Sequence, residues 1–142
     1  MNDSKVLTAP RAAVGAVIID KGKVLLVKRI YPPKKGKWAI PGGSVNLGES
    51  LQAAAEREVM EETGLIVEAK EPVHTFDLIE KDGYGKVLFH YVIVDLEAEY
   101  ISGEVRPADD VSDAGWFGPE EIKHVDITES TFGLLRKLDF LK

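Results

Sequence analysis

The first third of the chain alternates short apolar runs with polar or glycine-containing segments. The runs Arg11–Asp20 (RAAVGAVIID) and Lys23–Arg29 (KVLLVKR) are rich in β-branched residues and are separated by a short turn segment that contains glycine. This pattern predicts a β-hairpin. Two prolines in the basic segment Tyr31–Lys37 (YPPKKGK) exclude a regular element, so we expect a loop there and a short extended piece over Trp38–Gly43.

Apolar runs return in the second half of the chain. LIVEA (Leu65–Ala69) and VHTFDLIE (Val73–Glu80) each predict a strand, with a break around Pro72. The glycines of Asp82–Gly85 predict a turn. The run over Lys86–Tyr100 that follows predicts the longest strand of the protein.

Helical signals lie between and after these strands. We expect one helix to begin near Ser50, a suitable N-cap, and to end at Gly64. After an acidic loop over Ser102–Gly115, the segment WFGPEEI predicts a helical turn, and Thr128–Leu141 predicts a final amphipathic helix. Strands before, between and after two helices favour a mixed sheet with helices on its faces, an α/β or α+β sandwich.

Composition and charge narrow the class of protein. With 142 residues, of which 44% are hydrophobic, we expect a single domain over residues 1–142 with a substantial core. The net charge of −6 argues against a nucleic-acid or anionic-membrane surface. Neither an apolar leader nor a run of about 18 apolar residues is present, so a soluble, cytoplasmic protein is expected.

Acidic residues are concentrated where a helix tolerates them least. Glu56, Glu58, Glu61 and Glu62 fall in the last two turns of the predicted helix, where carboxylates repel one another and oppose the helix dipole. At about 100° per residue, the last three share an arc with small apolar side chains, and only Glu56 fits a solvated face.

Three carboxylates on an inward arc need a cation. The neighbouring Arg57 can pin one of them, but it cannot satisfy all three. Because the chain has no cysteine, a bound metal would be a hard ion with oxygen ligands, which means magnesium, manganese or calcium. The sequence therefore predicts a divalent metal at this helix.

These residues resemble a known family motif. Gly43, then Glu49, then REVMEETGL over Arg57–Leu65 is similar to the Nudix box with every fixed position filled. The resemblance implies an α/β/α sandwich around a central mixed β-sheet. It also implies hydrolysis of a nucleoside diphosphate linked to another moiety, with Mg²⁺ or Mn²⁺ as the cofactor.

The resemblance also implies roles for individual residues. The implied metal ligands are Glu58, Glu61, Glu62 and a glycine carbonyl, that of Gly42 or Gly43. Arg57 and Glu49 are implied as the pair that supports those ligands. The general base stays open between Glu58 and the acids of the later loop, which are Glu104, Asp109, Asp110 and Asp113.

Three functions remain open at the level of the sequence. SGEVRPADDVSDAGWFGPEEI and WAIPGG resemble the ADP-ribose pyrophosphatase branch, so hydrolysis of ADP-ribose to AMP and ribose 5-phosphate is favoured. The alternatives are a pyrophosphohydrolase of nucleoside triphosphates of the 8-oxo-dGTP type or of dinucleoside polyphosphates, and a non-catalytic module that binds a nucleotide and regulates a partner. The leaving group, the number of metal ions and the oligomeric state are not fixed, although similar proteins are often homodimers.

Residues outside the motif, together with Gly43 of the motif, are expected to bind the nucleotide. Such a substrate needs an aromatic or apolar platform and positive charge for its phosphates. Tyr31, Trp38 and Phe76 are candidate platforms, and basic residues of the 29–37 segment are candidate phosphate ligands. The set selected as substrate-binding is Arg29, Trp38, Gly43, Arg106, Asp110 and Asp113.

Overall fold

The structure, a computed structural model, describes residues 8–32 and 34–142. Seven strands are present in the described part: β1 Arg11–Asp20, β2 Lys23–Arg29, β3 Trp38–Ala39, β4 Gly42–Ser44, β5 Ile66–Lys81, β6 Val87–Ser102 and β7 Val111–Phe117. The helices are α1 Leu51–Thr63, α2 Pro119–Ile122 and α3 Glu129–Lys137.

The strands form one mixed sheet that branches at β1 and at β2. The main order is β3-β2-β1-β6-β5, while β4 pairs with β1 and β7 pairs with β2. β1 and β6 are parallel over eight residue pairs, from Arg11–Tyr91 to Ile18–Ala98, whereas every other strand pair is antiparallel. The first hairpin is confirmed by the pairs Ile19–Val24 and Asp20–Lys23. The mixed sheet expected from the sequence is therefore confirmed.

The two faces of the sheet carry separate cores because side chains alternate along β1. Ala16 and Ile18 belong to the cluster that packs under α1, together with Val59 of that helix. Val17 belongs to the opposite cluster, together with Leu134 and Leu135 of α3. A helix thus lies on each face, which confirms the sandwich architecture.

Local signals fix both ends of α1. The Ser50 hydroxyl accepts a hydrogen bond from the Ala53 N–H at 3.1 Å, as an N-cap does. Gly64 adopts the left-handed conformation at φ 76°, and its N–H donates to the Met60 carbonyl at 3.0 Å. Both predicted ends are confirmed, so the register of the acidic residues along the helix is set by its caps.

Three predicted boundaries are wrong. Pro72 does not break the chain into two strands, because β5 runs through it with register shifts on either side, a bulge that accommodates the missing N–H. β5 is therefore 16 residues long, the same length as β6, so the run over Lys86–Tyr100 is not longer than every other strand. The predicted loop Ser102–Gly115 contains the start of β7, which pairs with β2, and the last helix ends at Lys137 rather than Leu141.

Within residues 8–32 and 34–142, we found no helix with the length and hydropathy that a membrane crossing requires.

The αL conformation at the end of α1 gives a stability prediction. Gly64→Ala should lower the free energy of unfolding by about 1 kcal/mol, because a Cβ is disfavoured at positive φ. Chemical denaturation measures this change. Gly83→Ala is the matched control, since Gly83 lies in a turn at ordinary φ and a Cβ there meets nothing within 4 Å. Equal stability of the two variants would contradict the assignment.

Candidate active site

The second half of α1 packs its acidic side chains against β4. Glu62 is 1% exposed and Glu58 is 8% exposed. The Gly42 N–H donates to Glu62 Oε1 at 3.0 Å. A Cβ at Gly43 would overlap the Glu58 carboxylate, so any other residue here would displace that carboxylate from its present position. Gly43 therefore leaves room for the Glu58 carboxylate, and Gly42 holds the Glu62 carboxylate through its N–H.

Arg57 is the single basic side chain of this cluster among the residues that the structure describes. Its guanidinium binds Glu49 through two hydrogen bonds, Nε to Oε2 at 2.7 Å and Nη2 to Oε1 at 2.9 Å. The remaining hydrogen bonds go to Glu58 at 2.8 Å, to Glu61 at 3.1 Å and to the Ser44 carbonyl at 2.9 Å. The arginine thus ties α1 to β4 and to the loop before the helix.

One member of the expected inward trio lies elsewhere. The side chain of Glu61 is 41% exposed, so the expectation that all three acids face the interior is wrong for this residue. Glu61 lies at the edge of the apolar arc. Its side chain is there partly in solvent and also accepts the hydrogen bond from Arg57. Glu58 and Glu62 are buried as expected.

The segment between β6 and β7 brings further acids to the end of α1. The Arg106 N–H donates to the Thr63 carbonyl at 2.8 Å, and the Ala108 N–H donates to the Glu62 carbonyl at 3.0 Å. These two bonds hold the segment across the last turn of the helix. Asp110 is close enough to raise the pKa of Glu62 by charge repulsion, and Asp109 lies near Glu61.

The pKa shifts indicate that the negative charge of the buried glutamates is only partly compensated by neighbouring groups. Burial, then repulsion from Glu58 and Asp110, raises the pKa of Glu62 well above its ordinary value. Burial also raises the pKa of Glu58, although Arg57 opposes the shift. In contrast, the hydrogen bonds from Arg57 lower the pKa of Glu49 to about 2. The arginine therefore stabilises Glu49 as a carboxylate, while Glu58 and Glu62 remain undercompensated.

The donor set suits a hard divalent cation. The side chains around the end of α1 offer carboxylate oxygens, and such oxygens, with backbone carbonyls, are the ligands that Mg²⁺ and Mn²⁺ prefer. In the described part of the chain no three acids or histidines are already gathered around one point. Arg57 occupies Glu58 and Glu61, and an incoming cation would compete with it for these oxygens. The residues that would hold the ion are Glu58, Glu61, Glu62 and the carbonyl of Gly42.

Beside this cluster, on the sheet face that carries α3, lies a cavity of about 70 Å³. We call it the Asp95 pocket. Apolar side chains of β5 and β6 line it, with Asp95 of β6 and the first residues of α3. Gly42 lines it as well, so this residue borders both the pocket and the acidic cluster.

The residues selected as substrate-binding are distributed over four places. Gly43 and Asp110 lie in the acidic cluster, and Arg29 lines the Asp95 pocket with Lys34 and Phe76. Trp38 packs edge-on against Phe117 at 4.9 Å between ring centroids and belongs to the α3-side core. The side chains of Arg106 and Asp113 are exposed.

Asp95 is a buried acid outside the set of residues predicted from the sequence. The residue is 3% exposed, and burial raises the pKa of its carboxyl to about 7. The available signal was a single acid inside the apolar run YVIVDL, since a carboxylate is rarely buried in a strand without a partner.

A known family and several of its members match most of this chain. A family model described as the NUDIX domain matches residues 9–138. The chain is 38% identical over 108 residues to an ADP-ribose pyrophosphatase from Methanocaldococcus jannaschii, covering 76% of this chain but only 62% of that protein. It is 31% identical over 138 residues to the nucleoside triphosphatase NudI of Escherichia coli, covering 89% of this chain and 94% of the relative.

Solved structures agree on the fold. A MutT protein from Methanosarcina mazei superposes with a TM-score of 0.74 at 27% identity, covering 94% of this chain and 96% of that one. The NUDIX domain of Shewanella oneidensis NrtR, solved with ADP ribose, superposes with a TM-score of 0.71 at 25% identity, covering 96% of this chain and 91% of the other.

The raised pKa of Glu62 gives a pH-dependent stability prediction. A carboxyl whose pKa is higher in the folded than in the unfolded protein contributes its full stabilisation only at pH values below the unfolded pKa. This stabilisation is lost as the pH rises through the folded pKa. Glu62→Gln should therefore raise the unfolding free energy of the metal-free protein at pH 7. The gain should shrink towards pH 4.

Denaturation in the presence of a chelator, across this pH range, measures the effect. Glu56→Gln removes the same charge from the other side of α1, where the carboxylate accepts a hydrogen bond from the Ala69 N–H, and serves as the control. A Glu62→Gln protein that is no more stable than wild type at pH 7 would show that Glu62 is not undercompensated.

Proposed function

The chain belongs to the Nudix hydrolase family, and on this premise we propose that it hydrolyses the pyrophosphate bond of a nucleoside diphosphate linked to another moiety. ADP-ribose, cleaved to AMP and ribose 5-phosphate, is the favoured substrate. The observation that carries the proposal is the burial of Glu58 and Glu62 with a single arginine for the whole cluster. Such an arrangement is unfavourable in isolation and becomes favourable when a cation and a diphosphate complete it.

A divalent cation is part of this proposal. Mg²⁺ or Mn²⁺ held by Glu58, Glu61, Glu62 and the Gly42 carbonyl would offset the charge of the diphosphate and of the leaving phosphate. Glu62 is held in place by the Gly42 N–H, and Glu58 by Arg57. Arg57 is itself oriented by its two hydrogen bonds to Glu49, so the ligand geometry depends on this pair.

The base that takes a proton from the attacking water belongs to the same cluster. Among the loop acids, Asp109 and Asp110 interact electrostatically with the glutamates of α1. Asp113 instead accepts a hydrogen bond from the Ala114 N–H on β7 and is exposed. We therefore favour Glu58, Asp109 and Asp110 as candidate bases over Glu104 and Asp113.

The comparisons support two substrate classes. The archaeal relative is an ADP-ribose pyrophosphatase, but the match covers only 62% of its length. The bacterial relative is a nucleoside triphosphatase and matches over 94% of its length. Triphosphate hydrolysis is therefore the second candidate. A homodimer stays a prediction, and the exposed apolar side chains Ile79, Leu88 and Val92 on β5 and β6 are compatible with it.

A substrate screen tests the proposal. With magnesium present, the protein should release AMP and ribose 5-phosphate from ADP-ribose faster than it releases products from nucleoside triphosphates or dinucleoside polyphosphates. Chromatography of the products measures this, and a chelator should abolish it. Faster turnover of triphosphates would favour the second candidate. Nucleotide binding without any turnover would leave a non-catalytic binding module.

Removal of single carboxylates tests the site itself. Glu61→Gln and Glu62→Gln should each lower kcat by about a hundredfold or more, because the charged ligand of the cation is lost while the shape of the side chain is kept. Steady-state kinetics with the preferred substrate measures the loss, and circular dichroism verifies the fold. Glu56→Gln is the matched control and should retain wild-type turnover. Near-normal activity of both variants at limiting magnesium would contradict the assignment.

A further inference from the structure

Asp95 is the buried acid that the proposed reaction does not use. It lies on β6 opposite Gly15 of the parallel strand β1, and it is 3% exposed. Among the residues that the structure describes, no hydrogen-bond donor or cation contacts its carboxylate, and burial alone accounts for its raised pKa. Because a buried carboxylate without a partner costs several kcal/mol, such a group is expected to serve a ligand.

The carboxylate borders the Asp95 pocket. A Cβ at Gly15 would overlap Asp95 Oδ1 and approach Ile40 Cδ1 to 2.8 Å, so the glycine keeps this space open. Phe76 and Ile93, which are paired across β5 and β6, form an apolar wall beside the carboxylate. The hydroxyl groups on the α3 side are already engaged, since Thr128 Oγ1 donates to Thr131 Oγ1 at 2.8 Å. Among the described residues that line the pocket, Asp95 is therefore the one acidic group, and it lies beside the apolar wall.

The surroundings select the kind of ligand. Arg29 and Lys34 line the same pocket, and this positive charge disfavours a metal ion or an organic ammonium group. One carboxylate is also too few ligands for a cation. The volume of about 70 Å³ holds two or three water molecules, which is room for one edge of a planar ring and not for a whole nucleoside. A flat, neutral ring with an N–H on its edge matches these features.

We propose that Asp95 is a specificity-determining residue for the nucleobase of the substrate. The edge of the base enters the Asp95 pocket against Phe76 and Ile93, and the carboxyl of Asp95 accepts a hydrogen bond from its exocyclic amino group. This inference rests on the proposed function, because the base and the diphosphate belong to one substrate. Gly42 lines the pocket and donates its N–H to Glu62, so the pocket and the acidic cluster are adjacent, as one substrate with a base and a diphosphate requires.

The protonation of Asp95 agrees with an adenine edge. With a pKa of about 7, the carboxyl is protonated in a large fraction of molecules at neutral pH. A protonated carboxyl donates one hydrogen bond and accepts another. The edge of adenine offers the complementary pair, an amino donor beside a ring-nitrogen acceptor.

Binding of two nucleotides that differ by one amino group tests the inference. Isothermal titration calorimetry with magnesium compares AMP with purine riboside 5′-monophosphate, neither of which contains a pyrophosphate bond. Wild type should bind AMP about tenfold more tightly, as one hydrogen bond predicts. Asp95→Leu should bind both nucleotides equally. Asp95→Asn should keep the preference, since an amide also has one acceptor and a donor group.

The controls separate recognition from structure. Asp77→Leu and Asp77→Asn alter an exposed acid of β5 between two pocket residues and should keep the wild-type preference. Asp95→Ala replaces Asp95→Leu if the larger side chain prevents folding. Weakening of both nucleotides to the same degree, with the preference intact, would assign Asp95 a structural role and overturn the inference. So would a wild-type protein that binds both nucleotides equally.

Turnover separates this inference from the proposed function. If the protein hydrolyses ADP-ribose, Asp95→Leu should raise KM about tenfold and change kcat by less than about threefold. An unchanged KM would overturn the role of Asp95 while the proposed function stands. If no substrate is hydrolysed, the proposed function fails, and the AMP preference alone still supports or overturns the role of Asp95.

Discussion

The burial of two carboxylates between α1 and β4 is the constraint on which the site depends. Glu58 and Glu62 cannot be solvated there, so each is held by a specific donor: Arg57 for Glu58 and the Gly42 N–H for Glu62. Donors of this kind fix the orientation of a carboxylate but neutralise only part of its charge. The helix therefore carries an electrostatic cost, which the cation and the anionic substrate of the proposed function would offset together.

Glycine at three positions of neighbouring strands makes this arrangement sterically feasible. Gly43 leaves room for the carboxylate of Glu58, and a Cβ at Gly42 would meet the Val14 carbonyl of β1. On the other side of the same strand pair, Gly15 leaves room for Asp95. The two acidic features thus lie next to the same glycine-containing pair of strands, β1 and β4.

The sequence predicts those parts of the structure that depend on local chemistry. Ser50 and Gly64 mark the ends of α1 through capping preferences, and from these ends the helical period places Glu58 and Glu62 inside. The exposure of Glu61 was missed because helical periodicity gives the centre of an arc but not its edge. β7 was missed because its partner β2 lies more than 80 residues earlier in the chain. The Asp95 pocket depends on β1, β5, β6 and α3 together, and no local pattern encodes such an assembly.

The parallel pairing of β1 with β6 has a consequence for how the protein acquires its shape. The two central strands are about 80 residues apart in sequence, and the chain between them includes the acidic helix. The entropy of closing so long a loop is lost before the central contacts form, and a high contact order of this kind slows folding. During synthesis, the first hairpin and α1 leave the ribosome before β6 exists. Until β6 arrives, the backbone edge of β1 with which it later pairs stays open, and this interval is when the chain is most exposed to aggregation.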